Sequence, residues 1–136
     1  MYKKILVPID LSHAEKASEM IDIAKSLAGD NLRLVLVNVV EDIPNYVSID
    51  MPSGIVESQV KAAAEELHVF AEKSGIEAAV EVRNGQPASE ILLVAKDHDV
   101  DLIIIASHRP GLQDYFLGST AARVVRHAQC PVLVER

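Results

Sequence analysis

The densest group of chemically able residues is Ala106-Ser107-His108-Arg109-Pro110-Gly111, continuing through Asp114 to Gly118-Ser119-Thr120. This stretch follows the apolar run Leu102–Ile105 and precedes a short helical pattern, Ala121–Ala128. A strand that empties through a polar loop into a helix start presents unpaired N–H groups and the positive end of the helix dipole. That suits an anion. Gly118 would let backbone approach a phosphate closely, and Ser119 and Thr120 would add hydroxyl donors. The same three residues also read as an ordinary helix cap. Neither the P-loop nor the dinucleotide glycine fingerprint occurs.

Other groups offer less. Ser107 and His108 adjoin in sequence, which does not make a triad, and a nucleophile-elbow pattern is missing, so no catalytic residue is expected. Asp10, ending the first apolar run, would either bond an adenine or ribose or serve the start of the following helix. His13, His68, His98 and His127 lack ligand spacing with one another or with Cys130, and read as surface or helix-end residues. Cys130 reads as a buried, inert thiol. Glu65-Glu66, Asp97 and Asp99 read as a solvated face.

Composition narrows the function classes. The 136 residues suit one domain, 1–136, and 49% hydrophobic content excludes disorder. A formal charge of −7 argues against nucleic acid, and the basic residues Arg109, Arg123, Arg126 and Arg136 fit a local phosphate site better than a polymer groove. No apolar run approaches the ~20 residues that cross a bilayer, so no membrane partner is expected. The start Met1-Tyr2-Lys3-Lys4 runs straight into Ile5-Leu6-Val7 without a signal-peptide pattern, and a single cysteine excludes an internal disulfide. Cytoplasmic residence is expected.

The elements that must position these groups alternate. Lys4–Ile9, Arg33–Val40, Glu77–Arg83, Leu102–Ala106 and Pro131–Glu135 read as strands. Ser12 and Glu15 have capping-box spacing ahead of a helix using Ala17, Met20, Ile21, Ala24, Leu27 and Ala28, with Gly29 as its stop. Glu41–Pro52 reads as a long loop. Ser53 would cap a second helix, whose Val56, Val60, Ala63, Ala64, Leu67, Phe70 and Ala71 share a face and which stops at Gly75. Pro87 fits the first turn of a third helix using Ala88, Ile91, Leu92 and Ala95, and Ser119–Ala128 is the fourth. This alternation predicts an α/β fold with a mainly parallel sheet. Ligands of such sheets bind beyond the strand carboxyl ends where strand order reverses. If the first and fourth strands adjoin, Pro8, Asp10 and Ser12 converge with Ser107–Arg109 and the Gly118-Ser119 helix start.

The run Lys3-Lys4-Ile5-Leu6-Val7-Pro8-Ile9-Asp10, the segment Val100–His108, the stretch Leu117–Val134 and the turn Asn84-Gly85-Gln86-Pro87-Ala88 together resemble the universal stress protein family. The resemblance runs essentially the full length. It implies an open five-stranded parallel sheet of order 3-2-1-4-5 with helices on both faces, of the adenine-nucleotide alpha-hydrolase-like class, and usually a homodimer. It also implies ATP or another adenine nucleotide as ligand, with Mg²⁺ possible alongside it, through Asp10 or Asp114 and water. Carried over by position, Pro8, Asp10 and Val39 would line the adenine and ribose side. Ala106, His108 and Arg109 would face ribose and phosphates, and Gly118, Ser119, Thr120 and Ala121 would hold the phosphate chain.

The chain departs from the family's ATP motif of Gly, two residues, Gly, nine residues, Gly and Ser or Thr. Ala106 and Arg109 replace the first two glycines, and eight residues, Pro110–Leu117, precede Gly118. This version is similar to the F/G-type bacterial subgroup, in which nucleotide binding persists. Arg109 is either a substitute phosphate clamp or a plug paired with Asp114. Pro131-Val132-Leu133-Val134 would form an apolar edge, covered by a second copy or by the chain's own tail. The expected role is nucleotide-binding regulation without strong catalysis. Two alternatives stand beside it: a slow ATPase or self-phosphorylating or self-adenylylating protein using Ser119 or Thr120, and a nucleotide-free interaction protein.

Overall fold

A computed structural model describes residues 1–41, 54–107 and 117–136. Along the chain run β1 (Tyr2–Pro8), α1 (Ala14–Leu27), β2 (Ala28–Val40), α2 (Ile55–Ser74) and β3 (Ala78–Asn84). They are followed by α3 (Pro87–Asp97), β4 (Leu102–Ala106), α4 (Ser119–His127) and β5 (Val132–Glu135). The five strands form one parallel sheet in the order β3-β2-β1-β4-β5, as the resemblance implied.

Uninterrupted apolar runs arise in β1, β2 and β4 because these strands are covered on both faces. Ile5, Val7, Leu34, Leu36, Leu102 and Ile104 pack with Met20, Ile21 and Ala24 of α1 and Leu67 and Ala71 of α2. Their neighbours in the pleat, Leu6, Val35, Val37, Ile103 and Ile105, pack with Ala88, Ile91 and Val94 of α3 and Ala121 and Val124 of α4. Pairing of Leu6 with Ile103 and of Val7 with Leu36 holds the central strands in register. Among the described residues, no helix is long and apolar enough to cross a membrane.

Gly75 ends α2 in the left-handed region, at φ 71°, donating its N–H to Glu72 O at 3.3 Å, so glycine is required there. Pro87 opens α3 as expected. Three local expectations need correction. The Ser12–Glu15 capping box does not form: His13 is the N-cap of α1, without a side-chain cap, and Ser12 Oγ instead donates to Asp10 Oδ1 at 2.6 Å. A carboxylate two residues upstream is the stronger acceptor and draws the hydroxyl into a turn. Gly29 does not stop α1, because the chain turns extended at Ala28 and Gly29 already belongs to β2. Early pairing of Ala28 with Tyr2 accounts for that. Val94 joins the buried face of α3, beyond the residues expected there.

Of the expected long loop, only Glu41 is among the described residues. Ser53, His108, Arg109 and Asp114 also lie outside them, and Gly54 is the N-cap of α2.

Candidate functional site

Strand order runs outward in one direction from β1 to β3 and in the other from β4 to β5, so the reversal lies between β1 and β4. There the carboxyl ends of β1, β2 and β4 enclose a cleft of about 420 Å³. Its apolar wall includes Pro8, Ile9, Val37, Val39, Ile105 and Ala106, and its polar groups include Asp10, His13, Lys16, Asn38, Glu41 and Thr120.

On one side the chain leaves β1 under tight control. Ile9 donates its N–H to Val37 O at 2.7 Å, and Asn38 Nδ2 donates to Ile9 O at 2.9 Å. Asp10 then accepts from the Ser12 backbone N–H at 3.0 Å and from the Ser12 hydroxyl, and its other oxygen meets His13 Nδ1 at 2.9 Å. Partial burial tends to raise the Asp10 pKa, but the Ser12 and His13 hydrogen bonds outweigh it and hold the carboxyl below its ordinary value. Asp10 is therefore an ionised, oriented acceptor at neutral pH.

On the other side stands α4. Gly118 is its N-cap, no side chain among the described residues caps it, and the first helical bond runs from Ala122 N–H to Gly118 O at 2.8 Å. The N–H groups of Ser119, Thr120 and Ala121 consequently have no intrahelical partner. Gly118 N–H is held by Ser107 Oγ at 3.1 Å, which ties the helix start to the end of β4. Ser107 is itself fixed, since its N–H donates to Glu135 O at 2.8 Å. The ordinary capping role offered for Ser119 and Thr120 is not the one this helix uses.

Gly118 has φ −58°, which any residue adopts, and among the described residues a Cβ there would meet nothing within 4 Å. Neither backbone strain nor packing asks for glycine. Among the described residues, its bare Cα faces open space ahead of the N–H groups of Ser119, Thr120 and Ala121.

Of the residues singled out from sequence, Pro8, Asp10, Val39, Ala106 and Thr120 line the cleft. Gly118 and Ser119 sit at the helix start beside it without lining it, Ser119 being exposed. The Ala121 side chain is buried against the sheet, so only its backbone N–H is available. His108 and Arg109 lie outside the described residues. Sequence reasoning missed Lys16 and Ile105 in the cleft, and placed His13 only at a helix end. Their signal was faint. Lys16 lies three residues past His13, a spacing that puts both near one helix face, but nothing local shows that the face meets a strand end.

Cys130 is half-buried. Burial, with Asp101 adding negative charge nearby, pushes its thiol up, so it is protonated at neutral pH, as an inert cysteine would be.

A family model described as the universal stress protein family matches residues 1–136. A universal stress protein of Methanocaldococcus jannaschii is 33% identical over 139 residues, covering 98% of this chain and 82% of that protein. Universal stress protein G of Escherichia coli O157:H7 is 30% identical over 147 residues, covering 100% of each. The solved structure of the hypothetical protein MJ0577 matches with a TM-score of 0.80 at 27% identity, covering 98% of this chain and 95% of that one. Two more distant structures share the fold. A universal stress protein in complex with cAMP is 19% identical with a TM-score of 0.63, covering 99% and 97% of the two chains. One from Archaeoglobus fulgidus in complex with dAMP is 17% identical with a TM-score of 0.56, covering 99% and 98%.

Proposed function

This chain belongs to the universal stress protein family, and on that footing we propose that its cleft binds an adenine nucleotide, ATP foremost, as a regulatory ligand in a cytoplasmic homodimer. One observation carries the reading. An apolar pocket with an oriented carboxylate, Asp10, opens beside a helix start whose backbone donors are capped by no side chain among the described residues. A purine needs flat apolar walls, a ribose needs an acceptor for its hydroxyls, and a phosphate needs converging donors. Pro8, Val39 and Ala106 supply the first, Asp10 the second, and the N–H groups of Ser119, Thr120 and Ala121 the third. Support also comes from the cAMP and dAMP complexes formed on this fold by the two distant proteins. His108 and Arg109 would complete the phosphate side. Mg²⁺ would enter with the nucleotide, held through water by Asp10.

Calorimetry with ATP tests the proposal. Saturable heat at sub-millimolar nucleotide is expected, and its absence from folded protein overturns the reading.

A second reading makes Ser119 an acceptor of a phosphoryl or adenylyl group from the bound nucleotide. The observation favouring it is that Ser119 is exposed at the first helical position and caps nothing. Incubation with labelled ATP decides it. Label on the wild type that disappears in Ser119→Ala supports transfer, and an unlabelled wild type sets it aside.

The dimer seam follows from β5, an edge strand of half-buried residues. Ile103 donates to Pro131 O and Ser107 to Glu135 O, so the odd positions of β5 face β4. In a parallel ladder that leaves the N–H groups of Val132 and Val134 on the open edge, ready for a second copy. Sedimentation is expected to give a dimer for wild type and a monomer for Val134→Pro.

A further inference from the structure

Resting on the adenine-nucleotide reading above, we propose that Lys16 is the residue through which the cleft demands a phosphorylated ligand, its ammonium leaving Glu135 for a phosphate oxygen. Among the described residues, Lys16 is the one lysine or arginine lining the cleft, against two carboxylates, Asp10 and Glu41. Among the described residues, Lys16 is thus the fixed positive charge that offsets Asp10 and Glu41 for a polyphosphate, whatever His108 and Arg109 add from outside them.

The ammonium is held loosely. It lies 3.4 Å from Glu19 Oε2, 3.5 Å from Glu135 Oε1 and 3.4 Å from the Arg136 carbonyl oxygen. A firm charge-assisted bond is about 2.7–2.9 Å long, so each of these contacts sits at the outer limit. The side chain is nonetheless only 21% exposed. Its charge is partly withdrawn from water, and a ligand anion that displaces these long contacts gains a better partner at little desolvation cost.

Placement adds a second argument. Lys16 rises from α1 and reaches over the carboxyl end of β4 to Glu135. The Glu135 carbonyl accepts from Ser107 N–H, and Ser107 Oγ accepts from Gly118 N–H. The ammonium is thus linked by a short chain of contacts to the uncapped start of α4, and Thr120 lines the same cleft. A phosphate bound to the α4 donors would share the cleft that Lys16 lines. Because Glu135 ends the edge strand β5, the exchange would also release the tether from α1 to that edge.

The test measures ATP and adenosine affinities calorimetrically for the full chain as wild type, Lys16→Met, Lys16→Arg and Glu135→Gln, each checked by thermal melting. Lys16→Met is expected to reduce the preference for ATP over adenosine by about 10-fold, the value of one good charged contact. Lys16→Arg keeps that preference, and Glu135→Gln, by freeing the ammonium, raises it by roughly 2–3-fold. An ATP-to-adenosine ratio equal in wild type and Lys16→Met overturns the role of Lys16 while the nucleotide reading stands. Wild type that binds neither ligand overturns both. If Lys16→Met does not fold, Glu135→Gln decides, and an unchanged ratio there overturns the proposal.

Discussion

Two helices on the same face of the sheet, α3 and α4, begin in opposite ways. At α3, Pro87 occupies the first turn and so removes one N–H, and Gln86 Oε1 accepts the Ser89 N–H at 2.7 Å. At α4, three residues with N–H groups follow a glycine, and among the described residues no side chain turns back to meet them. The first start is closed on itself, as structural helices are. The second leaves its positive end undirected at the mouth of a cleft, where a bound anion would do the work of the missing cap. The difference between the two helix starts is what marks α4, and not α3, as the candidate for an anion site.

Closing α4 should break the comparison most severely. Gly118→Asp places a capping carboxylate into open space at an ordinary φ. Thermal melts are expected to show stability unchanged or higher by up to about 1 kcal/mol. Calorimetry is expected to show ATP affinity lower by on the order of 100-fold, because the carboxylate sits where phosphate would. Fully retained affinity would mean that the α4 start is not the anion site.

Loosening the open start is the next test. Ser107→Ala removes the acceptor for Gly118 N–H. Denaturant titration should register a loss of about 1 kcal/mol, and ATP affinity should drop by roughly 3–10-fold as the helix start loses its tie to β4. The control is the closed start. Gln86→Ala uncaps α3 and should cost about 0.5–1 kcal/mol in the same titration, with ATP affinity within about twofold of wild type. Equal effects of Ser107→Ala and Gln86→Ala on binding would erase the distinction between the two helices.

The smallest effect concerns the opposite wall. The folded-state pKa of Asp10 lies below its unfolded value, so its contribution to stability is present above about pH 4 and is lost as pH falls through the folded pKa. Asp10→Asn lacks that contribution at neutral pH, and its stability should change less on acidification. With the Asp10 side chain 64% exposed, the gap between the two acid-melting curves should be small, well under about 1 kcal/mol.

How legible these features were depended on how local their causes are. The two-sided strands were readable because Ile5-Leu6-Val7 and Ile103-Ile104-Ile105 leave no polar position in the pleat. Gly75 and Pro87 were readable because φ restrictions act within one residue. The Ser12–Glu15 box was misread for a related reason. Its spacing is local, but the outcome depended on competition with Asp10, whose charge draws the hydroxyl away from the helix.

The cleft was legible only as a condition, that β1 and β4 adjoin. That adjacency is real, with Lys4 N–H meeting Asp101 Oδ1 at 3.1 Å across 97 residues of chain. The same condition brought Ser107 to Gly118, which the 3.1 Å bond bears out, whereas Lys16 in the cleft wall had no such conditional signal. Lys16 acquires its place from strand ends contributed by distant segments.

The alternation of strands and helices, the two apolar faces and the family are written in the chain alone, because these rest on neighbouring residues and on the period of their side chains. Packing of distant segments settles which strand ends enclose a cleft, and that among the described residues no side chain caps α4 while Gln86 closes α3. Parallel crossovers bring together groups that share no local periodicity, and a helix start shows whether its donors are spoken for only once everything around it has packed.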